Sequence, residues 1–101
     1  MIYQLSVPAA VPSVQEIRIL EWHKVPGEQT EPGDVIVEFE THKAVIEIRA
    51  AQPGVLREIL AAAGDWRKVG VPVAYFSSLP DEELSVGSEG TSPMSVEFEV
   101  T

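Results

Sequence analysis

Apolar residues along this chain come in short alternating runs cut by glycine and proline, and almost no window sustains the 3.6-residue period of an amphipathic helix. The pattern predicts many short strands: Tyr3 to Val7, Glu16 to Trp22, Val35 to Glu40, Ala44 to Arg49, Gly54 to Ile59 and Val71 to Phe76. Turns are signalled by Pro26-Gly27, Pro32-Gly33, Pro53-Gly54, Gly64-Asp65 and Gly70. Helix competes only over Leu56 to Ala63, where Gly54 and Gly64 leave little length. The cleanest alternation runs from Val35 to Arg49 and inverts about Thr41-His42-Lys43-Ala44. Phe39 then faces Ile46 and Val37 faces Ile48 on an apolar side, while Glu40 meets Val45 and Glu38 meets Glu47 on the other. This predicts a hairpin whose two central turn residues are His42 and Lys43. Neither favours positive φ, so an ordinary type I turn is expected in place of the primed turns that want Asn or Gly.

An offset of 37 positions brings two halves of the chain into register. Ile19-Leu20-Glu21-Trp22 falls on Leu56-Arg57-Glu58-Ile59, Gly27 on Gly64, Gly33 on Gly70, and Val37-Glu38-Phe39 on Ala74-Tyr75-Phe76. Each half reads as strand, glycine turn, second turn, strand. Neither half can bury its apolar face alone, so the two are expected to pack together as a two-fold sandwich or flattened barrel.

At 101 residues the chain has room for one modest core, which argues against a self-contained enzyme. Apolar residues make up 45% and aromatics 7%, so Val, Ile and Ala must do most of the packing. The absence of cysteine excludes disulfides and thiolate metal sites. A formal charge of −9 repels phosphate backbones and anionic membrane faces, so neither nucleic acid nor membrane is an expected partner. No apolar run approaches the roughly 18 residues of a membrane span. The expected location is the cytoplasm, or the mitochondrial matrix in a eukaryote.

Composition changes after Phe76 to acidic and small polar residues, which divides the chain into a domain over residues 1–78 and an acidic linker or tail over 79–101. Met94 to Thr101 alternates and is a candidate short strand, either pairing with the domain edge, opening a further domain or doing neither.

Candidate chemistry is concentrated at Lys43, the one amine offered at a protruding tip, as an acylation site would require; a solvated turn lysine is the plain alternative. Glu21 with His23, and Glu40 with His42, each supply two possible metal ligands without an evident third, so no metal is expected. No serine lies in a nucleophile elbow, and the glycines occupy turns without a following helix, which leaves no triad and no phosphate loop. Trp22 and Trp66 are candidate recognition surface, but the repeat places apolar Ile59 at the position of Trp22, which favours core for that ring.

The run Glu40-Thr41-His42-Lys43-Ala44, followed by Val45-Ile46-Glu47-Ile48, resembles the Glu-Thr-Asp-Lys-Ala signature of lipoyl domains in the acyltransferase components of 2-oxo acid dehydrogenase complexes. The resemblance extends to Pro8-Ala9-Ala10-Val11-Pro12, Glu16, Ile19, Trp22, Gly27, Gly33-Asp34-Val35 and Phe39 upstream. Downstream it takes in Pro53-Gly54-Val55, Ile59-Leu60, Gly64-Asp65, Val69-Gly70 and Ala74, covering about residues 3 to 77. It implies an all-β flattened barrel, or barrel-sandwich hybrid, of two small antiparallel sheets with an internal pseudo-two-fold repeat, and lipoate joined by an amide to Lys43, with Glu40, Thr41, His42 and Ala44 as recognition residues around it. It also implies a carrier without its own active site. Its partners would be a thiamine diphosphate-dependent dehydrogenase, an acyltransferase core, a flavin-dependent dihydrolipoyl dehydrogenase, and a lipoate ligase or lipoyl transferase. His42 stands where the family usually has Asp, which changes the local charge and leaves open which dehydrogenase recognises the tip. Ile17 stands where the family often has Gly. The same fold admits a biotin carrier, whose lysine is usually flanked by methionines; here the flanks are His42 and Ala44. The remaining alternative is an unmodified β interaction module.

Overall fold

In the computed structural model, which describes residues 1–83 and 91–101, ten strands build two facing five-stranded sheets, and there is no helix among the described residues. The strands are β1 (Ile2–Ser6), β2 (Glu16–Trp22), β3 (Gln29–Thr30), β4 (Val35–Glu40), β5 (Val45–Ala50), β6 (Gly54–Ile59), β7 (Trp66–Lys68), β8 (Pro72–Ser77), β9 (Thr91–Pro93) and β10 (Val96–Val100). One sheet has the order β3-β6-β8-β1-β9 and the other β10-β5-β4-β2-β7. Three expected strands, β2, β4 and β6, have the bounds that alternation and turn residues predict, and the other three are displaced by one residue at their ends.

The repeat is carried into three dimensions. The β2–β4 ladder bulges between Ile19 and Glu21, and the β6–β8 ladder bulges at the matching place, between Leu56 and Glu58. Gly27 and Gly64 have φ of 94° and 95°, a backbone region in which glycine carries no Cβ penalty. Each donates its N–H across to the opposite half, Gly27 to the Leu56 carbonyl and Gly64 to the Ile19 carbonyl, both at 2.7 Å. The halves therefore exchange short strands: β3 of the first half pairs with β6, and β7 of the second pairs with β2. Phe39 and Phe76, equivalent under the repeat, lie fully buried in one core with Ile19, Leu56, Ile36, Val73, Ile46 and Ile48. Ile17, at 1% exposure, is part of that core. Trp22 is half-buried against it and donates its indole N–H to the Ala61 carbonyl at 2.8 Å, whereas Trp66 is exposed.

The sheets depart from the expected arrangement in two ways. One pairing is parallel: β8 ends beside Ile2 and β9 starts opposite the same residue, so β9 runs in the direction of β1. The second departure concerns the tail. Part of the acidic segment lies outside the described residues, but Thr91–Pro93 lengthens the first sheet and Val96–Val100 pairs antiparallel with β5 in the second. The last alternating run thus pairs with the domain edge, one of the roles expected for it.

Candidate functional site

The β4–β5 hairpin has the register that alternation predicts, with Phe39 opposite Ile46, Glu38 opposite Glu47 and Glu40 opposite Val45. Four residues close it. The Thr41 hydroxyl accepts the backbone N–H of Lys43 at 3.0 Å and of Ala44 at 2.9 Å, and donates to the Ala44 carbonyl at 3.2 Å. The Thr41 N–H also donates to the Ala44 carbonyl, at 2.8 Å. A buried threonine thus ties down the amides of the turn, which explains how it forms without Asn or Gly. Neither His42 nor Lys43 has positive φ, as an unprimed turn requires. Replacement of Thr41 by Val should cost about 1–2 kcal/mol by leaving these amides short of their acceptor, read as a lowered urea midpoint. Thr41→Ser should retain most of the wild-type value.

His42 and Lys43 are exposed, Ala44 is half-buried, and no carboxylate among the described residues lies within salt-bridge distance of Lys43. Glu40 is turned away, 3.6 Å from Arg18 on β2. The other two lysines are placed differently. Lys24 is only 14% exposed and lies 3.2 Å from Asp34 and 3.3 Å from Glu28. Burial opposes its charge, but the hydrogen bonds to Asp34 and Glu28 outweigh that and hold its ammonium above the ordinary lysine value. Lys68 lies on the flat edge strand β7. Lys43 alone combines an exposed amine with a rigid turn beneath it.

The partner of Lys24 gives a pH dependence. The Glu31 N–H and the Lys24 ammonium both stabilise ionised Asp34 and hold its carboxyl below the usual aspartate value. A depressed folded value means that Asp34 contributes stability above the ordinary carboxylate range, and that this contribution is lost as pH falls through the folded value. The stability gap between wild type and Asp34→Asn should therefore be present above the ordinary aspartate range and shrink as the pH falls below it, as urea titrations at successive pH values would show.

The expectation that Glu21 and His23 lack a third potential ligand is corrected. The bulge in β2 sets Glu21 opposite Glu38, and the Nε2 of His23 approaches the Glu38 carboxylate at 2.6 Å while its Nδ1 lies 3.8 Å from Glu21. Glu38 thus hydrogen-bonds one nitrogen of the ring, while Glu21 stands on its other side beyond hydrogen-bond distance. Glu40 and His42 gain no such third group among the described residues.

Comparison with known proteins bears on this geometry. A family described as "Biotin-requiring enzyme", the biotin/lipoyl family, matches residues 3–76. The lipoyl domain of the 2-oxoglutarate dehydrogenase complex from Azotobacter vinelandii, solved in solution, superimposes with a TM-score of 0.66 at 30% identity, covering 75% of this chain and 96% of that one. This chain belongs to the biotinyl/lipoyl family, as a lipoyl domain. Lipoyl domains of this family are carrier domains that hold lipoate covalently on a lysine. The chain is also 39% identical over 74 residues to the dihydrolipoyllysine-residue succinyltransferase component of the Bacillus subtilis 2-oxoglutarate dehydrogenase complex, covering 73% of this chain and 18% of that protein. A similar match, 39% over 71 residues, covers 69% of this chain and 16% of the acetyltransferase component of the Neurospora crassa pyruvate dehydrogenase complex. This lipoyl domain thus spans under a fifth of the length of these curated relatives.

Proposed function

We propose that Lys43 carries lipoate through an amide at its Nζ, and that the domain moves acyl groups and electrons between the active sites of a 2-oxo acid dehydrogenase-type complex. The observation that carries this reading is the placement of Lys43: an exposed amine, free of ion pairs among the described residues, at the tip of a turn locked by Thr41. The surroundings fit the group, since no described side chain pairs with the amine and the backbone N–H groups of Lys43 and Ala44 are anchored on Thr41. Lipoate supplies a disulfide that accepts an acyl group together with two electrons and gives both up elsewhere. The chain's own residues supply position. The buried Phe39–Ile46 pair and the Thr41 hydrogen bonds fix the base of the arm, while the lysine side chain above them is free to sweep. Tethering then replaces a bimolecular encounter by a high effective concentration at each active site.

On this reading the chain performs no chemistry alone. Its partners are a thiamine diphosphate-dependent dehydrogenase, an acyltransferase core, a flavin-dependent dihydrolipoyl dehydrogenase and the ligase or transferase that attaches lipoate. Relatives that are dehydrogenase and acyltransferase components of such complexes support the first two of these. The cytoplasm or the mitochondrial matrix would suit them. Mass spectrometry of the chain after incubation with lipoate, ATP and a lipoate–protein ligase tests the proposal. One lipoyl addition, mapped to the peptide containing Lys43, is expected; a biotinyl addition under the matching biotin conditions, or none under either, would refute it.

A further inference from the structure

Strand β10 lies beyond residues 3–76, the part shared with the family, and forms an open edge of the sheet that carries the lysine hairpin. Its attachment is well defined. Thr101 and Val45 exchange both backbone hydrogen bonds at 2.9 Å, Ala51 donates to the Ser95 carbonyl at 2.9 Å, and the register runs Val100 opposite Ile46, Phe98 opposite Ile48 and Val96 opposite Ala50. Because hydrogen-bonded pairs alternate along an antiparallel ladder, Glu97 and Glu99 turn their N–H groups toward β5. Those of Val96, Phe98 and Val100 point outward, without a strand beyond them among the described residues.

The side chains divide as sharply as the backbone. Phe98 and Val100 share the core-facing side of the sheet with fully buried Ile48 and Ile46, yet remain 49% and 43% exposed. They overhang the core. Only Val96 packs against it, beside the cleft lined by Leu5, Val7, Pro93 and Met94. On the other face Glu99 stands opposite Glu47, which stands opposite Glu38, which stands opposite Glu21, so that four neighbouring strands each contribute a glutamate to one row. Glu97 lies opposite Arg49, whose guanidinium is already bound by Glu47.

We propose that the free edge of β10 is a docking site for an extended segment of a partner protein, added as a further strand, with lysine or arginine on its outer face alternating with apolar residues on its inner face. Three features specify that occupant independently: a backbone edge unpaired among the described residues, two half-exposed apolar side chains on the inner face, and an excess of carboxylates over the one arginine between them on the outer face. A second copy of the chain does not fit. Every antiparallel register of β10 against itself that keeps the apolar residues on one face sets glutamate against glutamate, and like charges directly opposite destabilise a strand pair. A basic alternating strand removes that repulsion and covers Phe98 and Val100. It would lie about 10 Å from β5, two strand spacings away, alongside the hairpin that ends in Lys43.

The test uses the full chain, labelled with nitrogen-15, and three short capped peptides. One alternates lysine with valine, one has the same composition in two blocks, and one alternates glutamate with valine. The alternating lysine peptide should bind at least about tenfold more tightly than either control, a difference of about 1.4 kcal/mol, and should shift the outward amides of Val96, Phe98 and Val100 most. Glu97→Lys combined with Glu99→Lys should invert the preference toward the glutamate peptide. Val100→Pro removes one outward N–H but no hydrogen bond to β5. It should weaken binding about tenfold while the Thr101 and Val45 amides keep their native shifts. Equal binding of the blocked peptide, shifts spread over the whole acidic face, or no binding of any peptide would overturn the proposal.

Discussion

Lys43→Arg should abolish lipoylation completely while changing the stability of the domain by less than about 0.5 kcal/mol, the usual range for an exposed substitution away from packing or caps. A guanidinium keeps the charge and nearly the length of the side chain, but it stays protonated and offers no nucleophilic nitrogen for amide formation. Nothing structural is lost with the ammonium, because the hydrogen bonds of the turn run through backbone groups and the Thr41 hydroxyl. Lys24 cannot take over, since its ammonium is held between Asp34 and Glu28 and its side chain is mostly buried. Lys68 lies on an extended edge strand, where the shape of a protruding turn is absent. Incubation with ligase, ATP and lipoate should therefore add one lipoyl mass to the wild type and none to the variant, with superimposable urea curves for the two. Modification of the variant at Lys24 or Lys68, or its failure to fold, would remove Lys43 from its assigned role.

Phe39→Ala should have the largest effect on stability, about 3–5 kcal/mol. The ring is fully buried, lies opposite Ile46 two residues before the turn begins, and is matched across the pseudo-two-fold by equally buried Phe76. Its removal opens a cavity whose rim includes both sheets, which leaves little scope for collapse. A domain of this size has roughly 5–15 kcal/mol in all, so the variant loses a large part of its margin and should unfold at a clearly lower urea concentration. A midpoint close to wild type would mean that Phe39 does not face the core and that the phase of the hairpin is reversed.

The hairpin was legible because its two arms alternate in opposite phase around four residues, and a one-residue slip would have turned Phe39 and Ile46 outward together. The two-fold was legible because Gly27 and Gly64 mark a backbone conformation that the turn demands, not merely a loop. Other features left no such trace. Strands β3 and β7 are two and three residues long, too short for any period, and exist because the halves exchange them. The meeting of Glu38 with Glu21 and His23 depends on the bulge at Leu20, which shifts the register by one residue. Alternation identified β10 as a strand without naming its neighbour, since an edge chooses its partner through backbone groups that are the same in every residue.

The path of the tail also decides how this protein can be handled. Met1 lies beside Ser78, next to the Ile2–Ser77 pair of one sheet, whereas Thr101 lies against Val45 of the other, one residue past the turn, so it is the last residue and not the first that stands at the attachment hairpin. An affinity tag or surface tether placed ahead of Met1 leaves the lysine pointing into open solution, whereas one fused behind Thr101 crowds the modifying enzyme at the very spot it must reach.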